Sequence, residues 1–415
     1  MSTRNAATHC GQFSTRVTIA CVALMAPAFS TLARAQATQA PPAQVVPTRA
    51  QPEKAAAANL DLAAIVKKGV EFLVATQEEF GPLDAETNLG KCEWPYEGVY
   101  RVKGQIPVAY RIGGTAIVVN ALIQAPDLAT DEPRKQAIGR GMQFICAARK
   151  HPLMSHVEYD AGYDVRGWGY TYGLDTLLRA KKADAIPAAL KDEVEATILW
   201  SIEAIQATQI PEVGGWNYAR PTGRDKVANP SPFMTAPTLQ ALMLAKEMGY
   251  VVDDATITRG LDTMDAARSA IGSYVYSGKV NKERKPEGEP VPSACARMAA
   301  CESTLMMAGR GDMGRLRASV DAFIVHWEWL NKRRAQNGTH IPPYNIAPYY
   351  FMYGHRYAAQ AIELLPRQER AEYRRRVNEL MLSVQSENGS WNDRVFARSA
   401  GFGTAFALQA IMEAK

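Results

Sequence analysis

The residues best equipped for chemistry crowd one stretch, GTHIPPYNIAPYYFMYGHRY, which carries His340, Tyr344, Asn345, Tyr349, Tyr350, Tyr353, His355, Arg356 and Tyr357. Imidazole, phenol and guanidinium groups at this density are the types that move protons and grip anions. β-Elimination on a uronate, for example, needs a group that neutralises the carboxylate, a Tyr or His base and an Arg. Trp168, Tyr170 and Tyr172 form a second aromatic group, and Trp216 with Tyr218 a third. Such faces stack on sugars, line apolar ligands or stabilise cations. They also pack helices together, and the sequence leaves both readings open. His355 and Arg356 stand out because titratable or charged groups are harder to place in a core.

Other chemistries lack their parts. Beyond residue 35 the cysteines are Cys92, Cys146, Cys295 and Cys301, with no Cys-x-x-Cys and no His-x-x-x-His, so neither a metal nor another cofactor is expected. An oxidising compartment would permit disulfides, but a large helical core does not require them. Asp253-Asp254 is the one adjacent Asp pair and reads as a helix cap. The formal net charge is +5, and the basic residues are scattered apart from Lys332, Arg333, Arg334 and the run 374–376. That pattern reads as solvated helix surface, and nucleic acid is not the expected partner.

The elements that must carry these residues are helices, for Ala, Leu and Met recur at helical spacing within 47% hydrophobic content. A helical hairpin recurs six times. One helix closes in a corner, clearest in QSENGSW (Gln385 to Trp391), with Gln77, Gly81 and Leu83, and Gln209 with Trp216, in like places. The second helices read TAIVVNALI, YTYGLDTLL, TAPTLQALM, RMAACESTL, HRYAAQAIEL and TAFALQAIM, from Thr115, Tyr170, Thr235, Arg297, His355 and Thr404. Equivalent outer-helix positions step by about 60 residues after a longer first interval, the regime of helical-hairpin repeats. In this register Asn120, Asp175, Gln240, Glu302, Gln360 and Gln409 share one position. That position is either a packing edge or a polar ring around a shared central space.

The corner and the Thr-Ala helix resemble the repeats of the squalene–hopene cyclase and protein prenyltransferase superfamily, over roughly Ile65 to Lys415. The resemblance implies an all-α fold, an α/α toroid of about six hairpins with inner helices around a cavity; closure hides ends that an open array would expose. It also implies that Gln77, Gln209, Trp216, Gln385 and Trp391 are structural braces. The chain departs from the family at its chemistry. Cyclases protonate with an Asp-rich stretch before the Thr-Ala helix, where this chain has Gly113-Gly114, Trp168-Gly169, Phe233-Met234, Cys295-Ala296, Tyr353-Gly354 and Phe402-Gly403. The zinc-binding Asp-x-Cys of prenyltransferases is missing as well. Standard activities of both kinds are disfavoured.

Arg4 and Arg16 precede an apolar run that ends in Ala33-Arg34-Ala35, so residues 1–35 read as a secretory signal. Residues 36–60, rich in Ala, Pro and Gln, read as a disordered tether, and 61–415 as the repeat domain. The expected protein is exported to the periplasm or beyond. It has no transmembrane helix after cleavage, and membrane association stays open. Its expected role is binding or scaffolding around a central ligand cavity, on a lipid, an isoprenoid or a glycan. The alternatives are a noncanonical enzyme on an isoprenoid or lipid and a polysaccharide-lyase-like toroid. The candidate cavity residues are Trp168, Tyr170, Asp175, Arg297, Glu302, His340, Tyr344, His355 and Arg356. Asp175 and Glu302 are the expected ring carboxylates, with Arg297 or Arg356 as partner.

Overall fold

Acidic caps start four of the helices. Asp61, Asp131, Asp253 and Asp312 each accept a hydrogen bond from a backbone N–H of the first turn, which satisfies donors that the helix leaves unpaired. They open α1 (Leu62–Ala75), α3 (Glu132–Ala148), α7 (Asp254–Ala267) and α9 (Met313–Arg333). With α5 (Lys191–Ala207) and α11 (Arg367–Leu382) these are the outer helices. The inner set is α2 (Val108–Gln124), α4 (Arg166–Lys182), α6 (Pro232–Glu247), α8 (Val291–Met307), α10 (Tyr350–Leu364) and α12 (Ala400–Met412). No inner helix has a side-chain cap from its own N-cap residue.

The computed structural model describes residues 61–79, 91–157, 164–218, 228–278 and 286–413. The expected signal and tether lie outside the described residues, as do Gly81 and Leu83. Among the described residues the only sheet pairs β1 (Glu78–Glu79) antiparallel with β2 (Lys91–Glu93), and no helix is long and apolar enough to cross a membrane.

Each inner helix packs on the next, and α12 returns to α2, closing an α/α toroid of six hairpins. Gln409 on α12 donates to the Ile117 carbonyl on α2 at 2.8 Å across the closure. Contacts between neighbours join like ends, so the inner helices run parallel. A Cβ on Gly169, near the start of α4, would lie 3.2 Å from Ala109 near the start of α2, and Thr176 farther along α4 donates to Ala116 farther along α2. The expected starting residues all lie on inner helices, but the helices begin earlier, from three residues upstream (Pro232 before Thr235) to seven (Val108 before Thr115). Prolines at positions 107, 232 and 290 set three of those starts. Cys92, Cys146, Cys295 and Cys301 are buried and unbonded to one another.

Candidate functional site

The corners hold the ring by hydrogen bonds. The indole N–H groups of Trp94, Trp216 and Trp391 donate to the carbonyls of Leu73, Ile205 and Met381, at 2.8, 2.9 and 2.9 Å. Their backbone N–H groups donate to the hydroxyls of Thr115, Thr235 and Thr404, each at 3.0 Å. Trp94 is thus the first-repeat counterpart of Trp216 and Trp391, a position the sequence reading assigned to Leu83. Gln77 and Gln209 tie neighbouring outer helices, donating to Ala137 and Thr256 carbonyls at 3.0 and 2.8 Å. Gln385 instead bends back to Gly389 within its own turn.

Aromatic rings fill the space within the inner ring and separate two recesses. Phe233 stacks on Tyr353 at 4.0 Å, and Phe402 meets Phe406 at 4.7 Å. Trp168 and Tyr172, one turn apart on α4, touch at 5.2 Å, yet each lines a different recess.

The recess toward the C-terminal halves of the inner helices, whose empty space of about 390 Å³ includes open solvent, is lined by Asn120, Asp175, Gln240 and Gln409 of the polar position, with Arg179 and Arg356. Gln360 pairs with Gln240 through two amide bonds of 2.9 and 3.0 Å. Asp175 is held by Arg179 at 2.9 Å, one turn along its own helix, and that carboxylate raises the Arg179 pKa. Neither expected partner, Arg297 or Arg356, pairs with Asp175: Arg356, in the same recess, donates to Gln409 at 3.0 Å and forms an ion pair with Glu413 at 2.9 Å.

Glu302 is not in this ring. It turns outward to the Tyr274 phenol and Arg268, both at 3.0 Å. The reason is register. Thr304 donates to the Ala236 carbonyl as Thr176 donates to Ala116, so Ser303, one before Thr304, stands where Asp175 stands. The alignment from Arg297 runs one residue off.

The second recess, whose empty space of about 250 Å³ includes open solvent, lies at the N-terminal mouth of the ring, between Tyr96, Tyr100, Tyr110, Trp168, Tyr218, Tyr349 and Arg394. At its wall the Tyr349 hydroxyl meets the Tyr218 and Tyr276 hydroxyls at 3.0 and 2.6 Å and His340 Nε2 at 3.2 Å. His340 Nδ1 faces the Asn345 carbonyl at 3.1 Å. A carbonyl only accepts, so Nδ1 carries the proton, Nε2 accepts from Tyr349, and Tyr218 and Tyr276 donate to the Tyr349 oxygen. Burial lowers the His340 pKa and keeps the ring neutral at pH 7. Burial also raises that of Tyr349, while the two donated phenol bonds pull the other way. His340 and Asn345 both sit in the left-handed backbone region, at φ 55° and 52°, strain of a kind that clusters at ligand sites.

Arg394 enters this recess with its Nε and Nη1 buried and without a hydrogen-bond partner. Its guanidinium lies 5.5 Å over the Tyr349 ring and 5.9 Å over that of Tyr96. The adjacent Asp393 accepts from the Met352 N–H through Oδ2 at 3.0 Å near the start of α10, and its Oδ1 is buried without a hydrogen-bond partner. Burial pushes the Asp393 pKa up to about 6, against the pull of Arg394.

The expected cavity residues therefore scatter. Trp168 lines the mouth and His340 braces its wall. Asp175 and Arg356 line the opposite recess. Tyr170 bonds the Met154 carbonyl at 2.7 Å and packs on Trp200. Tyr344 packs on Trp329. Arg297 is consumed by the Tyr274 and Ser293 carbonyls and Glu289. His355 is buried against Phe323 and Phe351 and accepts from the Trp327 indole at 2.8 Å, so it belongs to the core.

Sequence reasoning missed Arg394, Asp393, Tyr96 and Tyr110. A signal for Asp393 existed: two residues past the corner residues Trp94 and Trp216 stand Tyr96 and Tyr218, and two past Trp391 stands Asp393. No group of His, Cys, Asp and Glu among the described residues is arranged to hold a metal.

No family model matches the chain, and no curated protein sequence does. Solved structures do. The GH76A alpha-1,6-mannanase from Salegentibacter sp. HEL1_6 matches at TM-score 0.51 and 11% identity, over 85% of this chain and 99% of that one. A family 76 glycoside hydrolase from a bovine Bacteroides thetaiotaomicron strain matches at 0.52 and 12%, over 86% and 79%. D-Mannose isomerase matches at 0.52 and 12%, over 85% and 97%. These neighbours share the α/α-toroid fold and do not single out squalene–hopene cyclases or prenyltransferases. At such low identity the likeness establishes the fold of this chain, an α/α toroid.

Proposed function

We propose that the protein is an exported saccharide-binding toroid whose site is the tyrosine-lined mouth of the inner ring. The observation that carries this reading is the lining itself: five tyrosines and Trp168 around one recess. Flat apolar faces that carry hydroxyls suit a sugar, which presents C–H faces and hydroxyl edges together. A polyprenyl chain would ask for a long apolar tunnel, and packed rings occupy the space where one would run. Binding is favoured over glycoside hydrolysis because that chemistry needs two carboxyl groups flanking the bond, and the described lining contains none.

The test is calorimetric titration of the full chain with neutral and acidic oligosaccharides and with polyprenyl phosphate, read alongside intrinsic tryptophan fluorescence. Saccharide binding that is lost in Tyr349→Ala and Trp168→Ala is expected. Binding of the polyprenyl phosphate alone would overturn the reading.

A second reading, β-elimination, is favoured by one observation, the Tyr349–His340 hydrogen bond, which gives a phenol a neutral acceptor for its proton. Ultraviolet absorbance of a carbon–carbon double bond formed from a uronate oligosaccharide would establish it. Its absence from a reaction in which binding is measured would leave binding alone.

A further inference from the structure

We infer that the mouth is an anion site and that Arg394 grips a carboxylate on the saccharide, so that the ligand is a uronate-containing glycan. The inference rests on the saccharide reading and adds the charge of the ligand. Arg394 is only 5% exposed, and a guanidinium so placed normally spends its donors on a carboxylate or on carbonyls. Here both Nε and Nη1 have no hydrogen-bond partner, whereas Arg134, Arg315, Arg333 and Arg356 each leave one such nitrogen without a hydrogen bond, and Arg166 and Arg111 bind Asp164 and Glu93 at 2.7 and 2.6 Å. The Tyr96, Tyr349 and Phe396 rings hold the cation at 5.9, 5.5 and 5.6 Å without using its N–H groups. Asp393, the adjacent carboxylate, spends Oδ2 on the Met352 N–H, and its buried Oδ1 makes no hydrogen bond to Nε or Nη1. The donors therefore remain for a group that enters the recess.

The backbone adds to the same field. The inner helices run parallel, and α2, α4 and α10 bring their N-terminal ends, with their partial positive charge, to this mouth through Tyr110, Trp168 and Tyr349. None carries a side-chain cap from its N-cap residue, whereas Asp caps four outer helices. The planar fork of Arg favours the two oxygens of a carboxylate over a neutral hydroxyl. The surrounding tyrosines would hold the sugar ring that bears it.

The experiment titrates wild type, Arg394→Met and Arg394→Lys with trigalacturonate, with its methyl-ester form and with inorganic sulfate, after thermal melting has checked that each variant is folded. The expected result is that trigalacturonate binds wild type about tenfold or more tighter than the ester, the worth of one charge-assisted hydrogen bond. Arg394→Met should erase that preference, so that acid and ester bind it equally, and Lys should restore part of it. Equal affinity for acid and ester in wild type, or equal weakening of both in Arg394→Met, overturns the inference and leaves the saccharide reading standing. If neither saccharide binds, the saccharide reading falls and sulfate decides the anion site. Sulfate that raises the melting temperature of wild type but not of Arg394→Met supports it, and no such difference refutes it.

Discussion

His355 provides the sharpest test of how the core is built, because its buried imidazole must stay neutral. Burial holds its pKa down to about 3, from an ordinary 6.5. The unfolded chain takes up a proton as pH falls through 6.5, and the folded chain does not until about 3. Stability is therefore lost across that window, by about 1.4 kcal/mol per pH unit and about 5 kcal/mol in all. Asp393 acts in the opposite sense. Its pKa is raised from 3.8 to about 6, so its buried charge costs stability above that value. The cost is relieved as pH falls from 6 toward 3.8, by about 3 kcal/mol.

Between pH 6 and 4 the two groups oppose each other, and wild-type stability alone would look nearly flat from this pair. Single variants separate them. His355→Phe keeps the aromatic volume and loses the Trp327 bond, at about 1–2 kcal/mol near neutrality. Measured by urea unfolding at pH 7 and pH 4.5, the stability of His355→Phe relative to wild type should rise by about 3 kcal/mol on acidification. Asp393→Asn, which keeps an acceptor for the Met352 N–H, should shift the other way. A His355→Phe gap constant to within about 1 kcal/mol would refute the reasoning, showing an imidazole that is solvated or charged in the fold.

The remaining predictions concern packing and the two recesses. Trp391→Ala removes a fully buried indole and its bond to Met381. It should cost about 3–5 kcal/mol in urea unfolding, and an unchanged midpoint would show that the corner braces nothing. Gly114→Ala would set a Cβ 2.5 Å from the Trp94 oxygen and the Tyr96 nitrogen. Backbone cannot yield cheaply, so a loss of about 1–3 kcal/mol is expected, with a wild-type melting curve as the contrary result. Asp175→Asn breaks a partly exposed pair with Arg179 and should change stability by about 1 kcal/mol or less. It should also leave saccharide binding untouched, and a tenfold loss in the titration would move the site to the other recess.

The ring was legible because its register is written in residues with a repeated job. Thr115, Thr235 and Thr404 each accept the corner Trp N–H, so the same type recurs at the same offset. Trp94 escaped because Gln77 stands seventeen residues before it, whereas Gln209 precedes Trp216 by seven and Gln385 precedes Trp391 by six. Glu302 was misplaced by a one-residue offset that apolar helix sequence does not reveal. His355 looked functional because a titratable residue in a helix gives no sign of the Phe323, Phe351 and Trp327 bed that neutralises it. Arg394 was overlooked because its character comes from partners that its Nε and Nη1 lack, and a missing hydrogen bond leaves no mark on a sequence.

The central claim, that ligand enters at the tyrosine-lined mouth, is tested most directly by hydrogen–deuterium exchange of the full chain with and without saturating trigalacturonate. The account predicts added protection in segments 94–101, 214–218, 345–352 and 391–399, which frame the mouth. Protection confined to segments 117–124, 175–182 and 406–412, which frame the opposite recess, would contradict it.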